Sequence, residues 1–257
     1  MNESTKFYKY SDTPRYYGKL KDYQMGPVSS IAEDYFLNRT GKSLIEYQDK
    51  LRIATNIREW MRLNRTGIIE PLIPLSRWED LGDKFIYFFN DAFSTVHYRE
   101  IWGDKRGRIT LVKNGKERLK HKPYYIDNTN ILTDSFNGFD EVIFAEGPFD
   151  IINSYIHLFN DRKALFIASG GLANTRSLVM EFTKYHYRAR ITFVSDDDVD
   201  ISWYKKYLLK KIDSRISELV IYYNKKAKDV GNISDGFDME KITLKRFDMD
   251  MEKAFIE

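Results

Sequence analysis

The run Val142-Ile143-Phe144-Ala145-Glu146-Gly147-Pro148-Phe149-Asp150 decides how this chain folds. Fifty residues on, Ile191-Thr192-Phe193-Val194-Ser195-Asp196-Asp197-Asp198 repeats its plan. Each is a short apolar stretch, rich in β-branched and aromatic residues, that runs straight into an acidic turn. Stretches of this length between helical patterns read as strands buried on both faces of a parallel sheet. Open parallel sheets bind ligands beyond the carboxyl ends of their strands. Carboxylates at two such ends can face one cleft. Packed carboxylates repel one another and resist ionisation unless a cation sits among them. Oxygen donors without Cys or His neighbours suit a hard ion, most of all Mg²⁺.

Outward from these two runs, strand and helix alternate from Phe139 onward. Strand 142–145 leads to a helix over 148–159. Strand 164–167 leads through Ser169-Gly170-Gly171 to a helix over 175–186. Strand 190–195 leads to a helix over 201–216, and strand 219–223 follows. Three βα units with short loops predict a parallel sheet with right-handed crossovers. From Ser234 the chain is charged and reads as a tail or helix. Upstream, 27–63 has helical periodicity: Ser29 or Ser30 can cap a helix at Ile31 with Glu33 in its first turn. Leu44, Tyr47, Leu51 and Ile53 continue an apolar stripe. From Ile68 the signal turns to strands, with an irregular or edge strand around Pro71 and Pro74. Phe85–Phe89, Val96–Trp102 and Ile109–Val112 then predict a small antiparallel meander.

The 257 residues suffice for one large domain or two small ones. Lys plus Arg is 41 and Asp plus Glu is 38, so a nucleic-acid face must come from local segregation of charge. The chain has no Cys, which excludes a zinc ribbon and a disulfide framework. No apolar run approaches the roughly 20 residues of a membrane span. The first residues have no signal-peptide core. A soluble, cytoplasmic protein is expected, in a host cytoplasm if the AT-rich compositional bias is viral. His97, His121, His157 and His186 lack ligand spacing. Trp60, Trp78, Trp102 and Trp203 read as core anchors rather than base-stacking platforms.

Charge does segregate in one stretch. Lys105, Arg106, Arg108, Lys113, Lys116, Arg118, Lys120 and Lys122 face one acid, Glu117. Such a run is commonly a solvated face. Beside an acidic metal cleft it becomes a positive track for a polyanion. The first 26 residues interleave basic and aromatic side chains, which suits either base stacking or an arm packed on the domain.

The motif strand-Glu146-Gly147-x-x-Asp150, followed by Asp196-x-Asp198 at a later strand end, resembles the Toprim domain. That domain is shared by bacterial-type primases, topoisomerases and certain nucleases. Lys228-Asp229-Val230 is similar to the third acidic segment of primase Toprim domains. Ile69-Glu70-Pro71-Leu72-Ile73-Pro74, followed by Phe85-Ile86-Tyr87-Phe88, looks like the basic subdomain of DnaG-type primase cores, and Lys122-Pro123-Tyr124-Tyr125 lies where they carry a Lys-Tyr step. The resemblance implies an α/β protein: a basic, aromatic arm over 1–26, an α+β basic subdomain over 27–137, a Toprim Rossmann-like parallel sheet over 138–232, and a charged tail or helix over 233–257. It implies a phage-type primase that makes short RNA primers on single-stranded DNA from ribonucleoside triphosphates, beside a separate replicative helicase. A metal-dependent nuclease and a non-catalytic replisome subunit are the alternatives. The family's zinc ribbon is absent, and Asp200-Ile201 stand where Ala-Gly often follows the acidic pair.

On this reading Glu146, Asp196 and Asp198 are catalytic. Glu146, Asp150, Asp196, Asp198 and Asp229 hold Mg²⁺ or Mn²⁺, with Asp197 facing away. Arg99, the basic residues of 105–122 and Lys228 meet nucleotide or template phosphates. Gly170 and Gly171 either let backbone approach a phosphate or make a plain tight turn.

Overall fold

The computed structural model describes residues 24–64, 83–89, 95–110, 123–127, 141–185, 189–196, 200–212, 214–226 and 229–246. The chain divides into two compact units, Met1–Ile126 and Asp127–Glu257. Its class is α/β, with one antiparallel sheet in the first unit and a largely parallel sheet in the second. Among the described residues, no helix is long and apolar enough to cross a membrane.

In the first unit, Ser29 caps α1 (Ser30–Thr40) by accepting the Ala32 N–H at 3.3 Å. Gly41, at φ 66°, closes the helix. Glu33 then organises the next one: its carboxylate accepts the N–H groups of Leu44 at 2.8 Å and Ile45 at 3.3 Å, at the start of α2 (Leu44–Leu51). Arg52 takes a left-handed φ of 52° and ends α2. The apolar stripe expected to run through Ile53 therefore stops, and Ile53–Ala54 forms β1 instead, paired antiparallel with β2 (Phe85–Phe89). Between them lies α3 (Ile57–Leu63), capped by Asn56 on the Glu59 N–H at 3.0 Å.

β2 continues antiparallel to β3 (Thr95–Glu100) and β3 to β4 (Arg106–Thr110), in the order β1-β2-β3-β4. The predicted meander is therefore present. Every side chain of β2 is buried. Trp60 stacks on Phe89 with ring centres 4.2 Å apart. Tyr124, in β5 (Tyr124–Asp127), packs on Phe88 and donates its hydroxyl to the Leu51 carbonyl at 2.8 Å. Met25 is buried, and Gln24 exchanges two hydrogen bonds with the Asn64 side chain, so the end of the predicted arm is pinned to this unit. Residues 1–23, the Pro71–Pro74 strand and Trp78 lie outside the described residues.

In the second unit the elements follow the predicted alternation. They are β6 (Glu141–Ala145), α4 (Pro148–Asn153), β7 (Ala164–Ala168), α5 (Leu172–Tyr185), β8 (Arg190–Ser195), α6 (Ile201–Trp203), β9 (Glu218–Asn224) and β10 (Met239–Lys245). Both α4 and α6 widen into π-helical turns, Ser154–Leu158 and Tyr204–Leu209. The strand order is β10-β9-β8-β6-β7, parallel except at β10.

Two expectations are corrected. The helix expected over 201–216 ends at Leu209. Beyond it, the Arg246 guanidinium donates to the carbonyls of Ile216 at 3.1 Å and Ile212 at 3.5 Å, which holds that stretch in a loop. The segment read as a tail or helix contains β10, paired with β9 from Met239↔Asn224 to Lys245↔Glu218. Its signal is a period of two: Lys241, Thr243 and Lys245 are exposed, while Ile242 and Leu244 are covered. Lysines on an edge strand also discourage further pairing.

At the amino ends of the strands, Glu141 is buried and forms an ion pair with Arg162, whose Nη1 lies 3.0 and 2.9 Å from the two carboxylate oxygens. Thr192 donates its hydroxyl to the same carboxylate at 2.5 Å. Removing one partner of such a pair leaves a buried charge uncompensated. Arg162 is a third exposed, which softens the loss. Arg162→Ala should therefore cost about 2 kcal/mol in urea unfolding. Arg162→Lys should recover only part, since Lys lacks the planar fork.

Candidate metal centre

β6 lies between β7 and β8, so the chain leaves it in opposite directions. At such a reversal the loops part and open a crevice at the carboxyl ends of the strands. The last pair of the β6–β8 ladder is Phe144↔Phe193, which sets the two acidic turns side by side.

Asp150 is at the third position of α4. Gly147 enters the helix in extended conformation and Pro148 begins it. The Asp150 carboxylate reaches back to accept the Gly147 N–H at 2.6 Å. A Cβ on Gly147 would stand 3.1 Å from that oxygen, so glycine permits the close approach. Asp196 follows β8 directly and accepts the Val230 N–H at 2.9 Å. The Val230 carbonyl in turn accepts from the Asn153 carboxamide at 2.9 Å. The backbone at Val230, whose side chain is wholly buried, is thus held between α4 and the end of β8. This fixes Asp229 beside the other two acids. Asp229 also accepts the Gly231 N–H at 2.7 Å.

Asp150, Asp196 and Asp229 each offer a carboxylate oxygen within 4.8 Å of the others. Burial pushes Asp150 up to about 8, and the charges of Asp196, Asp229 and Glu146 add to the rise. The Gly147 N–H acts against it by favouring the carboxylate. Tyr204 lines the same cavity; burial raises its phenol, which is hydrogen-bonded to Ser195. Three oxygen donors, one of them buried among acids, fit a divalent cation.

Of the predicted ligands, the structure brings Asp150, Asp196 and Asp229 together. Glu146 is exposed at the cavity rim and stands outside this trio, because the chain turns outward between β6 and Gly147. Asp197, Asp198 and Lys228 lie outside the described residues. Arg99, Lys105, Arg106 and Arg108 belong to β3, β4 and their connection in the first unit. Lys113, Lys116, Arg118, Lys120 and Lys122 lie outside the described residues, as do His121 and His186.

Gly170 and Gly171, at φ 74° and 120°, form a turn. The Gly170 N–H is committed to the Glu146 carbonyl at 2.7 Å and the Ser169 N–H to Ala145 at 2.9 Å. The turn therefore braces the acidic loop. Asp200 caps α6 through the Ser202 N–H at 2.8 Å, which accounts for an acid at that position. Asn153 and Tyr204 were missed by sequence reasoning. For Asn153 a signal existed: an amide three residues after Asp150, set within an apolar helical run.

No protein-family model, curated protein or solved structure matches this chain.

The raised Asp150 has a measurable consequence in metal-free protein. The folded state keeps a proton that the unfolded chain loses above pH 4. Between pH 4 and 8 the folded state thus binds more protons, and stability falls as pH rises. Asp150→Asn has no proton to lose. Its urea stability should equal that of the wild type near pH 4 and exceed it by a few kcal/mol, on the order of the linkage from the shift, near pH 9. If the trio holds a divalent ion, added Mg²⁺ should reverse that order at pH 8, by binding the folded wild type and not the variant.

Proposed function

We propose that this chain is the catalytic core of a DNA primase of the bacterial and phage type. It would make short RNA primers on single-stranded DNA from ribonucleoside triphosphates, working beside a separate replicative helicase. The observation that carries this reading is the meeting of Asp150, Asp196 and Asp229 at the β6–β8 reversal. Those three acids come from the three segments whose motifs resemble the Toprim domain. The antiparallel module ahead of them favours primase over the nucleases that share the domain.

In this reading Asp150, Asp196 and Asp229 hold Mg²⁺ or Mn²⁺, a role the Toprim resemblance implies for Asp198 as well. The ion supplies charge neutralisation at the reacting phosphates and at the departing pyrophosphate. Glu146 stands at the rim, where a carboxylate can take the proton of the attacking 3′-hydroxyl. As that oxygen bonds to the α-phosphorus, the bond to the β-phosphate breaks and pyrophosphate leaves. The Val230 clamp keeps Asp196 and Asp229 oriented, and Tyr204 lines the cavity together with Asp150 and Asp196. Arg99, Lys105, Arg106 and Arg108 add positive charge for template or nucleotide phosphates.

The test is synthesis from labelled ribonucleotides on single-stranded DNA with Mg²⁺. Wild type should yield short RNA. Asp196→Ala should lose it by a factor on the order of a thousand or more. Glu146→Gln should slow it roughly 100-fold or more without abolishing metal-dependent stabilisation. Cutting of the DNA, lost in Asp196→Ala and with no RNA made, would replace this reading with a nuclease. Neither activity, with or without a replicative helicase present, would leave a binding subunit.

A further inference from the structure

The β3–β4 hairpin carries two local arrangements that work against its own stability. The first is at its tip. Trp102 has a left-handed φ of 60°, a conformation that crowds the Cβ of any residue except glycine. Trp102 is also 65% exposed, although the sequence reading placed it in the core. The loop fixes it there. Ile101 is buried and its N–H donates to the Lys84 carbonyl at 2.7 Å. The Glu100 N–H donates to the Lys105 carbonyl at 2.7 Å, and the Glu100 carboxylate accepts the Lys105 N–H at 3.2 Å. The Trp102 ring meets the Tyr35 ring edge-on at 5.3 Å, and the Arg39 guanidinium lies 5.9 Å from the Tyr35 ring centre. Among the described residues the indole is braced by this one ring contact, and most of its surface is exposed.

The second arrangement is in the stem. Arg99 pairs directly across the ladder with Arg106, and His97 with Arg108. Cross-strand partners share a face, and like charges placed opposite each other destabilise a sheet. These four basic residues therefore lie on one face of two neighbouring strands. Glu100 belongs to the alternate register, and its carboxylate is turned to the Lys105 N–H. Asp104 is the acid left in the exposed loop.

An exposed indole at the tip of a hairpin whose stem carries an opposed arginine pair matches the chemistry of one ligand class. A nucleotide chain offers a flat base for the ring and a phosphate for the arginines, and its charge relieves the Arg–Arg repulsion. We infer that the β3–β4 hairpin binds single-stranded nucleic acid, with Trp102 stacking on a base and Arg99 and Arg106 holding an adjacent phosphate. The inference deepens the primase reading and rests on it for the strand being a DNA template.

The experiment is fluorescence anisotropy of a labelled oligothymidylate with the full chain, in chelator and at several salt concentrations. Wild type should bind. Trp102→Ala and Trp102→Gly should weaken binding roughly tenfold, and Trp102→Phe by less. Arg106→Ala should reduce the slope of log affinity against log salt by about 0.7. Thermal unfolding separates binding from folding: Trp102→Gly should melt no lower than Trp102→Ala, because glycine takes the left-handed φ without strain. Wild-type protein that ignores the oligonucleotide, or Trp102 variants that bind as wild type does, would overturn the inference. Loss of binding in the Trp102 variants without RNA synthesis by wild type would sink the primase reading and keep this one.

Discussion

Strand β6 hydrogen-bonds in parallel to β7 on one side and to β8 on the other, and each side chain along it is buried. That double ladder is the constraint from which the second unit follows. A strand enclosed on both edges and both faces has no freedom of register, because a one-residue slip would exchange its two faces. Glu141 reinforces the alignment at one end through Arg162 and Thr192. At the other end the same alignment delivers two acidic turns to the one place where the sheet reverses direction.

The electrostatics of that place explain its local architecture. Three carboxylates so near one another repel, and burial makes Asp150 the most reluctant to ionise. The fold counters this with backbone N–H groups: Gly147 to Asp150, Val230 to Asp196 and Gly231 to Asp229. The Gly147 donor favours the charged form of Asp150. These bonds orient the carboxylates without neutralising them. Asn153 completes the device by tying the Val230 carbonyl to the helix that carries Asp150. A cluster held in place this way could hold a cation.

Much of this was legible in the sequence. β6, β7, β8 and β9 announce themselves as short β-branched runs between helical patterns, and the acidic turns follow from where such strands end. Three elements were not. β1 is two residues long, and only the left-handed Arg52 separates it from the stripe of α2. β10 looked like a charged tail because lysines at alternate positions outweigh its period of two in any composition average. The early end of α6 depends on Arg246, more than thirty residues away, which no local pattern encodes. Within the candidate site, the acids were legible because their residue type carries the chemistry. Asn153 was legible only as an amide within an apolar helical run, because the backbone carbonyl it holds is one that the sequence does not identify as near. Trp102 was misplaced for a related reason: an indole weighs toward the core in any apolar count, and exposure at a hairpin tip is set by the buried Ile101 beside it.

Natural sequences satisfy local preferences almost everywhere, so the places where they do not carry information. Two such departures among the described residues lie one in each unit. In the second unit three acids crowd together, a surplus of negative charge. In the first, an arginine pair opposes itself in the stem of a hairpin whose tip carries a left-handed tryptophan, a surplus of positive charge and an exposed aromatic ring. The two departures have opposite signs. On the proposed reading, a metal ion answers the first and a phosphate backbone with its bases answers the second. Metal-dependent transfer of a nucleotide onto a strand is a reaction that requires both ligands, and neither departure is explained by the stability of the unit that contains it.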